Sequence, residues 1–222
     1  MVNKTIPLWL CRGLNVEQSE KISAQIASIE SKTQAELVAV VVRHSSAIAH
    51  VPWVLMMLLG SLFFIAEGIF FGLHWDRYPE ITVPIATIGI YLLSMYLSRL
   101  SSVQRILTPN VDEAWQVQQR AELEFYRAGI SNTNQSTGVL IFISWMERRA
   151  VILADKGVSN LCSEEIWTDV INLMLKEFKR HDFYSGLEKA IQGCGEILIS
   201  KLPSNSSKPA ANQLANHLII KQ

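Results

Sequence analysis

Residues 51–66 read VPWVLMMLLGSLFFIA, with no charged side chain. Continued through Glu67 to Trp75, the run is long enough for the roughly 30 Å of bilayer hydrocarbon, which takes about 20 apolar residues to cross. Residues 81–98, ITVPIATIGIYLLSMYLS, form a second uncharged run. The link between them, HWDRYPE, is too short for a domain. This pattern predicts a transmembrane hairpin, with spans over 51–75 and 81–100 and both chain ends on one side.

Composition shows that the apolar excess is local. The chain has 222 residues, of which 49% are hydrophobic and 18% charged; roughly 25% charged is usual for a soluble domain. Between 51 and 100 the only charges are Glu67, Asp76, Arg77, Glu80 and Arg99. The 20 basic and 20 acidic side chains balance, which gives no electrostatic reason to expect nucleic acid as a partner. Arg43, Arg99 and Arg105 flank the outer ends of the pair, against Arg77 alone in the link. The positive-inside rule then puts both termini in the cytoplasm, with Trp53, Trp75 and Tyr78 as an interfacial aromatic belt. Glu67 reads either as a polar edge of the anchor or as an intramembrane functional acid, since such acids often mark transport paths. Cys11, Cys162 and Cys194 lack metal or disulfide spacing. The N-terminal MVNKTIPLWLCRGLN has only a short apolar piece before Arg12, which does not fit a signal peptide.

The remaining segments alternate helix and strand. Asn15 is a good N-cap for a helix over 16–30, with Ile22, Ile26 and Ile29 on one face. Residues 36–42, ELVAVVV, form a β-branched run suited to a strand buried on both faces. After the hairpin, Thr108–Pro109–Asn110 starts a helix with Val111, Ala114, Trp115, Ala121, Phe125 and Ala128 on one arc, ended by Gly129. Residues 138–144 and 149–154 read as two strands joined by a tight turn, and two amphipathic helices follow over 164–180 and 186–200. Neither soluble piece could bury a core alone, because a lone strand needs a sheet. The expected fold class is therefore α/β: a single α/β sandwich, with a small mixed sheet flanked by helices, interrupted by the two-helix transmembrane hairpin. Its first part spans 1–46, its second 108–202, and a flexible tail 203–222. The β-α-β crossover makes strands 36–42 and 138–144 parallel.

Three stretches carry a family resemblance: IASIESKTQAELVAVVV, STGVLIFISWMERRAVILADKGV and FKRHDFYSGLEKAIQGCGEIL. Together they resemble the TPM domain, and the chain is similar to the bacterial subgroup of short membrane proteins in which that domain is split. The resemblance implies an α/β sandwich, residence in the bacterial inner (cytoplasmic) membrane, and a role in maintenance, repair or assembly of integral membrane proteins. A plant member of the family is linked to photosystem repair and to acid phosphatase activity. Some members bind a divalent cation, usually Ca²⁺, and in many of them the loop before the glycine-led strand carries paired acids. This chain has Asn134-Gln135-Ser136-Thr137 there, without an acid.

The topology brings three loops to one edge. Thr33 and Glu36 start the first strand, Asn134 and Thr137 precede the second, and Asp155 and Lys156 follow the third. Glu36, Asn134 and Asp155 are the candidate metal ligands, since a hard cation such as Ca²⁺ takes oxygen donors. The alternative is that Asp155-Lys156-Gly157 is a turn and Glu36 a surface residue where its strand begins. This edge is expected to face away from the bilayer. His44, His50, His74, His181 and His217 show no metal spacing. His181-Asp182 reads as turn and helix cap, and Glu147-Arg148-Arg149 as a solvated hairpin tip whose arginines could meet anionic lipid headgroups. The expected function is a non-enzymatic interaction or regulatory module, with the lipid bilayer and other integral membrane proteins as partners and no nucleic acid. A metal-dependent phosphatase is the alternative, and a small transport accessory using Glu67 a second one.

Overall fold

The computed structural model describes residues 6–45, 50–70, 79–107, 110–133, 135–204, 214 and 218–221. They fall into two compact units, Met1–Ser45 with Ala114–Gln222, and Ser46–Glu113.

The first unit is an α/β domain built on a four-stranded mixed sheet. Its strands are β1 (Glu36–Val42), β2 (Gly138–Ser144), β3 (Arg149–Ala154) and β4 (Ile219–Lys221), in the order β3-β2-β1-β4. β1 and β2 are parallel, with Glu36 opposite Gly138 and Val42 opposite Ser144. β2 and β3 form an antiparallel hairpin. β1 and β2 are buried at every position, which is why their sequences are continuous apolar runs and not alternating ones.

Alternation divides the strands between two apolar layers. Leu37, Ala39, Val41, Val139, Ile141 and Ile143 pack against three helices: α1 (Val16–Glu30), α7 (Glu164–Lys179) and α8 (Phe183–Lys201). Val38, Val40, Val42, Leu140 and Phe142 pack against α5 (Asn110–Arg127). Asn15 begins α1 as expected: its side chain accepts from Gln18 N at 2.7 Å, and the Gln18 side chain accepts from Asn15 N at 2.9 Å. Gly129 closes α5 with φ 72°.

α5 departs from the expected arc. Trp115 is 61% exposed, while Glu124 is fully buried in the stripe with Val117, Ala121 and Phe125. The reason is electrostatic. Glu124 is ion-paired with Lys221 of β4, with Arg120 at 3.1 Å and with Arg127 at 3.6 Å. A buried carboxylate is tolerable only with such partners, and here they tie the end of the chain to the sheet. The expectation of a flexible tail over 203–222 is thereby corrected at its end. Val40–Val42 pair with Ile219–Lys221 in parallel, and Arg43 N donates to Lys221 O at 3.1 Å. Two smaller differences follow the same rule of satisfied polar groups. Asp155 starts a short helix, α6 (Lys156–Ser159), where a turn was expected. Glu147 is buried, not solvated, because it accepts from Ser144 Oγ at 2.6 Å and from Ser45 N at 3.1 Å.

The second unit holds α2 (Val51–Phe70), α3 (Pro79–Leu97) and α4 (Ser101–Leu107), with α2 packed on α3. Within α2, Val51–Ile69 is long and apolar enough to cross a membrane, and in that stretch only Val51 is buried. The second apolar stretch, Val83–Leu97, is shorter than the expected span over 81–100. Residues 71–78, where the first span was expected to end, lie outside the described residues.

Candidate functional site

The expected metal edge is built by the row Glu36, Gly138 and Asp155. Glu36 is opposite Gly138, and Asp155 N donates to Gly138 O at 2.9 Å. Alternation turns this row toward the α5 side, with the glycine between the two acids. Two strand spacings separate the acids' backbones, roughly 10 Å. Ile130 fills the gap: a Cβ added at Gly138 would lie 2.2 Å from Ile130 Cγ2. Glu36 is 5% exposed. Asp155 accepts from Lys156 N at 2.7 Å as the cap of α6, and its Oδ2 is buried without a hydrogen bond among the described residues. Asn134 lies outside the described residues.

The hydroxyls of this edge stitch its loops together. Thr33 Oγ1 donates to Leu202 O at 2.6 Å, and Thr137 Oγ1 to Gln34 O at 3.0 Å. Among the described residues no three His, Cys, Asp or Glu side chains are grouped to hold a metal.

The opposite edge, at the C-terminal ends of β1 and β2, opens a cavity of about 370 Å³. Open α/β sheets characteristically bind ligands at this end of their parallel strands. Arg12, Trp145, Arg148, Phe178, His181 and Phe183 line it, with Gly13, Ile143 and Ser144. Three local features assemble the wall. Gly13 lets the N-terminal segment close onto the rings, since a Cβ there would meet Trp145 Cη2 at 2.8 Å and Phe183 Cβ at 3.0 Å. Trp145 meets Phe183 edge-on at 5.0 Å between centroids, and Phe183 stacks on Phe178 at 4.8 Å. Arg148 and His181 sit at turns with φ 53° and 64°.

The acids next to these cations in the chain are already engaged. Asp182 caps α8 by accepting from Ser185 N at 3.0 Å and from Ser185 Oγ at 2.7 Å, so His181-Asp182 is turn and cap as expected. The backbone N–H of Ser185, then its hydroxyl, hold the Asp182 carboxyl below its ordinary value. Glu147 is held by Ser144 and Ser45.

Sequence reasoning missed this cavity because Arg12, Arg148 and His181 are far apart in the chain and meet only in the fold. The partial signals were the hairpin tip Glu147-Arg148-Arg149 and the turn at His181. The thiols are not part of it: burial raises Cys162 and Cys194 above the ordinary thiol range.

Residues 102–197 match the family model of the TPM domain, from α4 through β2 and β3 to most of α8. That stretch is similar to the TPM domain. The match begins after β1, so α1 and β1 lie outside it, and β1 meets the matched strand β2 in the sheet. The fold also has a solved counterpart. The NMR structure of the BA42 protein from the psychrophilic bacterium Bizionia argentinensis superposes with a TM-score of 0.58 at 18% identity, covering 93% of this chain and 94% of that one. At this identity the likeness speaks for the fold alone. A search of the curated proteins gives no match.

Proposed function

We propose that the chain is a membrane-anchored TPM-domain module that binds and regulates other integral membrane proteins at the cytoplasmic face, by interaction and not by catalysis. One observation carries this reading: along the apolar stretch Val51–Ile69 every residue after Val51 is exposed or half-buried. A core helix of a soluble protein would hide that surface, and exposing it to water would cost about 25 cal/mol for each Å². A bilayer removes that cost. Val83–Leu97 makes the return pass of a hairpin, and Arg43, Arg99 and Arg105 keep both flanks in the cytoplasm.

A metal-dependent phosphatase is the second reading, and it rests on Glu36 and Asp155 sharing one side of the sheet. Ile130 between them and the capping role of Asp155 favour interaction over hydrolysis. Crosslinking in intact membranes followed by purification of the full chain tests the proposal. Specific integral membrane proteins should co-purify with it. Hydrolysis of a phosphomonoester that needs Ca²⁺, Mg²⁺ or Mn²⁺ and disappears in Asp155→Ala would overturn it.

A further inference from the structure

The cavity at the C-terminal edge of β1 and β2 is left unused by an anchoring role. Its wall carries two guanidiniums and an imidazole and no carboxylate. Neither Arg12 nor Arg148 has an ion-pair partner among the described residues. Single unpaired arginines are common on protein surfaces. Here two converge on one concave site, beside an indole and two phenyl rings. That combination suits an amphiphilic anion: a guanidinium matches phosphate oxygens in a bidentate fork, and the rings suit the apolar body attached to it.

The chain path narrows the choice of anion. Ser45 is pinned beside the cavity, its N donating to Glu147 at 3.1 Å and its hydroxyl 2.8 Å from Ser144 Oγ. Six residues further along the chain α2 begins, the helix that the membrane reading puts in the bilayer, and basic side chains at a membrane surface gain from anionic lipid.

We propose that this cavity seats the headgroup of an anionic phospholipid, with the phosphate held by Arg12 and Arg148 and the glycerol and acyl portion laid against Trp145 and Phe183. The proposal rests on the membrane reading above and adds to it a lipid specificity that a hairpin alone would not have.

Calorimetry on the full chain in neutral detergent tests it. The probes are short-chain phosphatidylglycerol below its micelle concentration, phosphatidylcholine of equal chain length, and inorganic phosphate. Phosphatidylglycerol should bind saturably and phosphatidylcholine should not. Arg12→Gln and Arg148→Gln should each weaken binding about fivefold, and together roughly 25-fold, with an unchanged circular dichroism spectrum and melting temperature. Lys21→Gln, on the exposed Lys21–Glu17 pair of α1, should leave binding unaltered. Equal binding of the two lipids, or undiminished binding in the double variant, would overturn the proposal. So would inorganic phosphate binding as tightly as the lipid, which would make this a free-anion site. Failure of the anchor reads out separately, as release of the chain from membranes by alkaline carbonate while phosphatidylglycerol binding persists.

Discussion

The same kinds of side chain are used in opposite ways in the two units. In β1 and β2, Leu, Ile, Val and Phe are buried almost completely, and each strand is covered on both faces. In α2, Met57 is 75% exposed, Leu62 63% and Ile69 71%. Hydrophobic composition alone therefore says nothing about where a segment ends up. The difference lies in what satisfies the backbone. A buried strand needs neighbouring strands for its N–H and C=O groups, and so demands a sheet drawn from distant parts of the chain. A helix satisfies its own, and so can present apolar side chains outward to any apolar surroundings. The sheet unit hides its apolar side chains inside, and α2 presents them outward, as the proposed membrane anchor requires.

The sharpest way to break this contrast is to make one deletion in each unit. Leu140→Ala removes a fully buried side chain between the sheet and α5 and should cost about 2–5 kcal/mol in denaturant unfolding of the sheet unit. Leu62→Ala on α2 should change the same transition by less than about 0.5 kcal/mol in detergent. Similar losses from both would mean that α2 is a core helix after all.

The next effect probes the buried charge within the apolar layer. Glu124→Gln would leave Lys221, Arg120 and Arg127 without their shared carboxylate. Losing one member of a fully buried pair costs about 3–5 kcal/mol. The partly exposed cations here should lower that to about 2–3 kcal/mol. Hydrogen exchange should show β4 opening first.

Smaller again is the cap of α8. Asp182→Ala removes the acceptor for Ser185 N and should cost about 1 kcal/mol in the same unfolding experiment.

The smallest effect is present at neutral pH and fades in acid. Lys189, through a hydrogen bond at 2.7 Å, and Arg180 hold the Glu177 carboxyl below its ordinary value of 4.5. A lowered acid stabilises the fold fully above that value and less as pH falls below it. Glu177→Gln should therefore lower stability slightly in the neutral range and converge on the parent chain as pH falls below 4.5, which flattens the decline in acid.

The parts of the fold legible in the sequence were those written as local pattern. The runs ELVAVVV and GVLIFIS announce two-sided burial, and Asn15, Gly129 and Asp182 announce helix ends. The parts that escaped depend on distant partners. Ile219–Lys221 is too short to signal a strand and becomes one only beside β1. Trp115 looked like core from its place on the helix arc and is exposed, and nothing local marks Glu124 as buried, because its partner Lys221 lies about a hundred residues further along the chain. At the expected metal edge, Glu36 and Asp155 come to one end of the sheet with β2 between their strands, while the methyl of Ile130 between them could be seen only once Gly138 had a neighbour to meet. The cavity was harder still, for none of its cations belongs to a recognisable spacing.

The measurement that bears most directly on a chain built for two solvents is extraction of native membranes with alkaline carbonate. The full chain should stay in the membrane pellet, and a variant with Leu58, Leu62 and Ile65 all replaced by Arg should move to the supernatant or fail to accumulate. Release of the unaltered chain into the supernatant would contradict the account.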